Sequence, residues 1–243
     1  ISTDPPYYDN IGYADLSDYF YMWLRNNLIS IYSNVLSTMM VPKTEELIAT
    51  PFRFNGDMSK ARSFFENGMT KVFSNIRNVA ADEFPTTVFY AFKQSSIEEE
   101  DGEDTKTSEG WEAMLQALID AGMQICGTWP MRTELTTGVK VNINVLASSI
   151  VLVCRKRPAD ATICTRRDFI NALKRELKPA LQKLQASNIA PVDLAQSAIG
   201  PGMGVYSRCS KVLEADGKPM SVRSALQIIN QELDIYLTEQ DGE

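Results

Sequence analysis

Ile1-Ser2-Thr3-Asp4-Pro5-Pro6-Tyr7-Tyr8 opens the chain and reads as the end of a strand broken off by a stiff turn. The two prolines fix φ and remove two backbone donors, so neither a strand nor a helix continues through them. On one reading this is only a strand running into a Pro-Pro turn. On the other it is a site for a flat, amino-bearing base: Asp4 brings a carboxylate acceptor, Pro5 a carbonyl with no competing N–H, Pro6 rigidity, and Tyr7 an aromatic face. The exocyclic amine of adenine is a poor nucleophile because its lone pair is delocalised into the ring. Two acceptors gripping its two hydrogens favour the pyramidal geometry that frees the pair, and a stacked tyrosine holds a base flipped from its duplex.

Working outward, the periodicities alternate between helix and strand and so predict an α/β fold. Asp15 to Ile31 reads as a helix with Leu16, Tyr19, Phe20, Trp23 and Leu24 on one apolar face. Val41 to Ser59, with Pro42, Pro51 and Gly56, reads as an irregular connection, either a functional loop or a simple link. A second helix follows over Lys60 to Ala81, with Phe64, Phe65, Met69, Val72, Phe73 and Ile76 as its buried stripe. Thr86 to Phe92 is β-branched and aromatic, hence a strand. Ser108 is the expected cap of a helix through Trp111, Met114, Leu115, Leu118 and Ile119, which Gly122 ends. Met123 to Thr133 and Leu146 to Arg155 read as strands, joined by a Thr-, Gly- and Asn-rich connection over Thr136 to Asn144. Beyond Pro158 the pattern turns helical: Arg166 to Ala186, a short Val192 to Ile199, a Gly-Pro-Gly break at Gly200, and Ser221 to Leu237. The division expected is 1–158, carrying the strands, and a helical C-terminal region, 159–243.

The stretch Thr3 to Arg25, TDPPYYDNIGYADLSDYFYMWLR, strongly resembles the Asp-Pro-Pro-Tyr-Tyr region of adenine-specific DNA methylases, in particular the group whose longer members also carry a zinc ribbon. TVFYAFKQ at Thr87 to Gln94, GTWPMRTE at Gly127 to Glu134, SSIVLVCRKRP at Ser148 to Pro158 and APVDLAQSAIGPGMGVYSR at Ala190 to Arg208 look like the same family in the same order. The resemblance implies that 1–158 is part of a Rossmann-like, S-adenosylmethionine-dependent methyltransferase domain, its last strand inserted antiparallel, with a helical appendage behind it. It implies catalytic roles for Asp4, Pro5, Pro6 and Tyr7, and DNA as partner. In that chemistry the amine attacks the sulfonium methyl directly, so no cysteine nucleophile is required, and proximity and orientation supply much of the acceleration.

One component of the family pattern is missing from the sequence. Such enzymes admit the cofactor through a Phe-x-Gly-x-Gly loop after a strand, and none is present. Gly200, Gly202 and Gly204 follow a helical segment and lack the strand-then-helix context of a nucleotide fingerprint; their density suggests close backbone approach, to a helix or to a ligand phosphate. The resemblance places the cofactor loop upstream of Asp4, and the chain opens with Ile1 inside a strand. The expectation is therefore the C-terminal portion of a longer methylase, with the N-terminal half as its missing partner and the cofactor-binding residues unassigned.

Composition sets the remaining bounds. The chain has 243 residues, 44% of them hydrophobic, and a net charge of −7, enough to bury a core but unlike a broad phosphate-binding surface. Part of the acidity lies in Glu98 to Asp104, which reads as a solvated loop. Against it stands a basic cluster of Arg155, Lys156, Arg157, Arg166, Arg167, Lys174, Arg175, Lys178 and Lys183. There is no histidine, and the four cysteines contain no Cys-x-x-Cys pair, so no metal site is expected. Cys126 and Cys154 lie in apolar strand-like runs and read as core thiols in a reducing compartment. No run reaches membrane-spanning length, and the prokaryotic cytoplasm is the expected location. Tyr8 either extends the aromatic wall beside Tyr7 or packs on the following helix. Trp129 and Arg132, at the strand end where open α/β sheets bind ligands, either position substrate or form an ordinary aromatic–proline bend.

Two further readings stay open. The same acceptors suit a planar amine in RNA or in a protein glutamine, and a catalytically silent subunit of a phage-defence or modification complex would use the helical region to recruit partners.

Overall fold

A computed structural model describes residues 1–8, 12–90, 109–132, 148–186 and 191–241. Four strands form one mixed sheet: β1 (Ser2–Thr3), β2 (Thr86–Tyr90), β3 (Met123–Arg132) and β4 (Ser148–Lys156). Their spatial order is β1-β2-β4-β3. β1 pairs parallel with β2, and β4 is inserted antiparallel to both β2 and β3. No helix intervenes between β3 and β4 among the described residues, which agrees with an antiparallel return. The chain is thus a mixed α/β structure.

Strand alternation gives the sheet two unlike faces. Thr86, Val88, Tyr90, Ile150, Leu152, Cys154, Ile125 and Thr128 line one face, and all are buried. Helix α3 (Glu109–Asp120) covers part of it, with Trp111 stacked on Tyr90 at 5.5 Å between centroids. The helix ends where Gly122 adopts φ +75°, a conformation glycine takes without strain. On the opposite face Thr87, Phe89 and Val153 are only half-buried and Trp129 is 69% exposed.

Helix α5 (Pro191–Arg208) covers β3 on the buried face and corrects the expected Gly-Pro-Gly break, because it runs without interruption through Gly200, Pro201 and Gly202. Pro201 has no N–H for the carbonyl of Ser197, which would ordinarily leave that acceptor stranded. The Thr128 hydroxyl donates to it instead, at 2.7 Å. The glycines let the backbones meet: a Cβ on Gly200 would lie 2.1 Å from Thr128 Oγ1, one on Gly202 2.6 Å from Ile229, and one on Gly204 3.3 Å from the Ile125 carbonyl. Helix packing, not a ligand phosphate, explains their density.

A β-bulge between Ile125 and Gly127 leaves Cys126 unpaired. It points Cys126 outward, so the expected core thiol is exposed, whereas Cys154 is buried. The Ser207 hydroxyl of α5 accepts the Ile125 N–H at 2.9 Å beside the bulge. Helices α4 (Arg166–Ala186) and α6 (Val222–Asp241) then pack on α5, with Phe169 edge-on to Tyr206 and the Tyr206 hydroxyl donating to the Met220 carbonyl at 2.7 Å. Two short strands that helical periodicity hid, β5 (Ile163–Thr165) and β6 (Lys211–Leu213), pair in parallel. Beside them Cys164 and Cys209 form a disulfide, a bond that sits against the expected reducing compartment.

By packing, the chain divides into two compact units, Ile1–Pro5 with Met69–Glu243, and Pro6–Gly68. The second contains helix α1 (Tyr13–Leu28), a 3₁₀ turn over Pro51–Phe54 inside the connection expected to be irregular, and the start of α2 (Met58–Val79). Along α2, Phe65, Met69 and Phe73 are fully buried at four-residue spacing, flanked by half-buried Phe64, Val72 and Ile76. Ser108, Phe92, the acidic run 98–104 and the connection 136–144 lie outside the described residues.

Candidate functional site

Asp4 is the first residue beyond β1. Because β1, β2 and β3 run parallel to one another, their carboxyl ends share one edge of the sheet, the edge at which open α/β sheets hold ligands. Thr3 stands opposite Val88, so Asp4 comes level with Phe89, Val151 and Trp129. It is exposed, while Pro5 is buried. Among the described residues no hydrogen bond occupies the Asp4 carboxylate or the Pro5 carbonyl, which leaves two acceptors at the end of a parallel strand. Pro5 ends the N-terminal segment of the first unit, and Pro6 begins the second unit.

Pro6 and Tyr7 are half-buried, and Tyr8 is buried. The Tyr8 ring meets Phe65 of α2 edge-on at 5.1 Å, and its carbonyl accepts the Ala49 N–H at 2.6 Å. That makes Tyr8 a core residue of its unit, while Tyr7 beside it is half-buried.

Trp129 reaches the same carboxyl edge but stands three strand spacings from β1, ~14 Å across the sheet. β2 and β4 lie between them, so Trp129 is not an immediate neighbour of Asp4. Arg132 ends β3; its side chain lies outside the described residues.

The basic cluster is largely neutralised. Arg155 donates to the Asp82 and Glu83 carbonyls, Lys156 pairs with Asp82 at 2.8 Å, Arg166 with Glu214 at 2.8 Å, Lys174 with Glu232 at 3.4 Å and Lys178 with Glu239 at 3.1 Å. Arg157 is structural. Its guanidinium donates to the Ile119 carbonyl at 2.9 Å and the Cys209 carbonyl at 3.3 Å, a cation placed at the C-terminal ends of α3 and α5. Burial lowers its pKa. Sequence proximity collected these charges, but their acidic partners come from distant segments, so the cluster is not an open phosphate-binding surface.

No glycine cradle for S-adenosylmethionine is found among the described residues, since the spaces beside Gly200, Gly202 and Gly204 are filled by Thr128, Ile229 and Ile125. No group of three or more His, Cys, Asp or Glu side chains is gathered as a metal site there either. No described helix is long and apolar enough to cross a membrane.

Sequence reasoning missed an exposed apolar stripe in the second unit. Leu16 is 63% and Phe20 66% exposed, and Tyr13, Tyr19, Trp23 and Leu24 are exposed with them. The stripe was visible in the sequence; its outward direction was not. Comparison with protein-family models, with curated proteins and with solved structures finds no match.

Proposed function

We propose that this chain carries the amine-gripping half of an S-adenosylmethionine-dependent methyltransferase acting on the exocyclic amine of adenine in DNA. One observation carries the reading: the Asp-Pro-Pro-Tyr run begins at the carboxyl end of a parallel strand and puts two acceptors there that no described residue engages. Asp4 and the Pro5 carbonyl hold the two amine hydrogens, Pro6 fixes the turn, and Tyr7 stacks on the base. Support also comes from β4, whose antiparallel insertion between β2 and β3 is the arrangement the resemblance implied. The residues that would hold the cofactor are not among those described. The role is marking of DNA in a prokaryotic modification or phage-defence system.

The test is expression of the complete reading frame in a methylation-free host, with mass spectrometry of digested DNA, RNA and protein. N6-methyladenine should accumulate in DNA and vanish with Asp4→Ala, while binding of S-adenosylmethionine persists. Tyr7→Ala should weaken the base-held state by about 1–3 kcal/mol, with Tyr7→Phe far milder. Equal damage from both tyrosine substitutions would assign the role to the hydroxyl. Methylation of RNA or glutamine alone would transfer the reading to those amines, and no methylated product in any pool would favour a silent subunit.

A further inference from the structure

α1 is amphipathic in the reverse of the usual sense. Its polar side faces its own unit. Asp18 accepts from Lys43 at 2.6 Å and from the Val41 N–H at 2.9 Å. Tyr21 and Arg25 both donate to the Thr38 carbonyl, at 3.0 and 2.8 Å. Gly12 offers no side chain to cap the helix, and Glu46 takes over by accepting the Ala14 N–H at 3.0 Å. Arg53 holds Glu46 in place at 2.7 Å and Asp15 at 3.0 Å; burial opposes its charge, but the two carboxylates outweigh that and raise its pKa. Ala14, Asp18, Tyr21 and Arg25 are spaced four, three and four apart and so form one side of the helix. The opposite side is Tyr13, Leu16, Tyr19, Phe20, Trp23 and Leu24, all exposed and without a charge among them.

This stripe is larger than an ordinary surface patch. An aromatic side chain buries about 150–250 Å² when covered, so six large apolar residues left half to two-thirds open offer roughly 600–700 Å². That exceeds the few-hundred-Å² patches usual on monomers and approaches the ~800 Å² each partner contributes to a stable interface. Its two tyrosines and its tryptophan are of the types enriched in interface hot spots. Because the polar side already fixes the helix, docking would order little more.

We propose that the outward face of α1 is a self-association surface through which two copies of this chain pair about a two-fold axis. An apolar face without charges is its own complement, as an isologous contact requires. The net charge of −7 opposes pairing least here, because Asp15 and Asp18 are already neutralised by Arg53 and Lys43. Duplex nucleic acid needs lysines and arginines, and the face has none. A membrane-surface helix needs a basic polar side, whereas this polar side is occupied by internal ion pairs. The inference is independent of the proposed chemistry.

Sedimentation analysis of the 243-residue chain across the micromolar range tests it. The expected species is a dimer, and Phe20→Glu should raise its dissociation constant roughly thirtyfold or more, a hot-spot-sized loss, with circular dichroism unchanged. Leu16→Glu is the second variant, should the first disturb folding. The open edge of β1 is a rival route to pairing. Ile1 O accepts the Thr87 N–H, so the Ser2 backbone groups point away from β2, and Ser2→Pro blocks that edge without removing a β1–β2 bond. A dimer that survives Ser2→Pro and dissociates with Phe20→Glu supports the proposal. A chain monomeric at every concentration, or a dimer lost with Ser2→Pro and kept with both glutamate variants, overturns it.

Discussion

α5 and α1 are nearly equal in length and opposite in how their side chains are used. α5 brings glycines and serines to β3, so that the backbones touch and almost every residue from Ser197 to Ser207 is buried or half-buried. α1 brings Leu16, Phe20 and Trp23 and leaves them in solvent. The difference shows that an apolar stripe does not decide its own burial. α1 is oriented by where Asp18, Tyr21, Arg25 and the uncapped Ala14 N–H find partners, and all of those lie in 38–46. α5 is oriented by shape, with Thr128 satisfying the Ser197 carbonyl and Ser207 the Ile125 N–H.

The contrast should appear most strongly in the covalent staple, which only the unit containing α5 possesses among the described residues. Cys164 and Cys209 are 45 residues apart in sequence. Replacing Cys209 by Ser, or reducing the bond, should cost about 2–4 kcal/mol. Hydrogen exchange can locate the loss: amides of 197–208 should lose protection, while those of α1 keep theirs. Equal loss in both would mean that the two units unfold together and would dissolve the comparison. Thiol alkylation of protein isolated from its host also decides between this bond and the expected reducing compartment, since cytosolic thiols rarely leave such a bridge standing.

A substitution of one methyl group sharpens the same contrast. Gly200→Ala should destabilise by about 1–3 kcal/mol, because the new Cβ must displace Thr128 and disturb its bond to the Ser197 carbonyl. Phe20→Ala removes a far larger side chain and should change stability by only about 0.5 kcal/mol, as for other surface positions. Both are read from denaturant midpoints, and for Phe20→Ala at concentrations low enough to keep the chain monomeric. A large loss there would place Phe20 inside the fold.

Local rules made part of this legible. The α2 stripe, the strands ending at Tyr90, Arg132 and Lys156, and the boundaries of α4 follow from periodicity that neighbours reinforce. The strand-then-turn at Asp4 follows from proline chemistry. What escaped depended on distant groups. Pro201 reads as a helix stop until Thr128, 73 residues earlier by numbering, supplies a replacement donor. Cys126 reads as core until a one-residue bulge turns it over. The Cys164–Cys209 pairing cannot be deduced from spacing, and Tyr8 meets Ala49 and Phe65, which lie far from it in sequence. For the candidate site, sequence supplied the acceptors; it could not supply the ~14 Å of sheet that separates Trp129 from β1.

The smallest expected effect tests whether charge adds anything to a helix already positioned by shape. Glu176 of α4 pairs with Arg175 and, across to the end of α5, with Arg208. Burial pushes the Glu176 carboxyl up, but hydrogen bonds from the two arginines outweigh it and hold the carboxyl below the ordinary glutamate range. A carboxyl lowered in the folded state binds fewer protons there than in the unfolded chain, so its contribution is present at neutral pH. It declines as pH falls through the ordinary value of about 4.3 and is gone below the depressed value. The groups are about one-third exposed or more, so solvent screening limits the contribution to roughly 0.2–1 kcal/mol. Glu176→Gln should therefore be less stable than the parent by that amount at pH 7, converge with it in acid, and lose most of the difference in molar salt. A gap that persists at low pH would mean that Glu176 acts through packing, and that α5 is held at this end, as along β3, by shape alone.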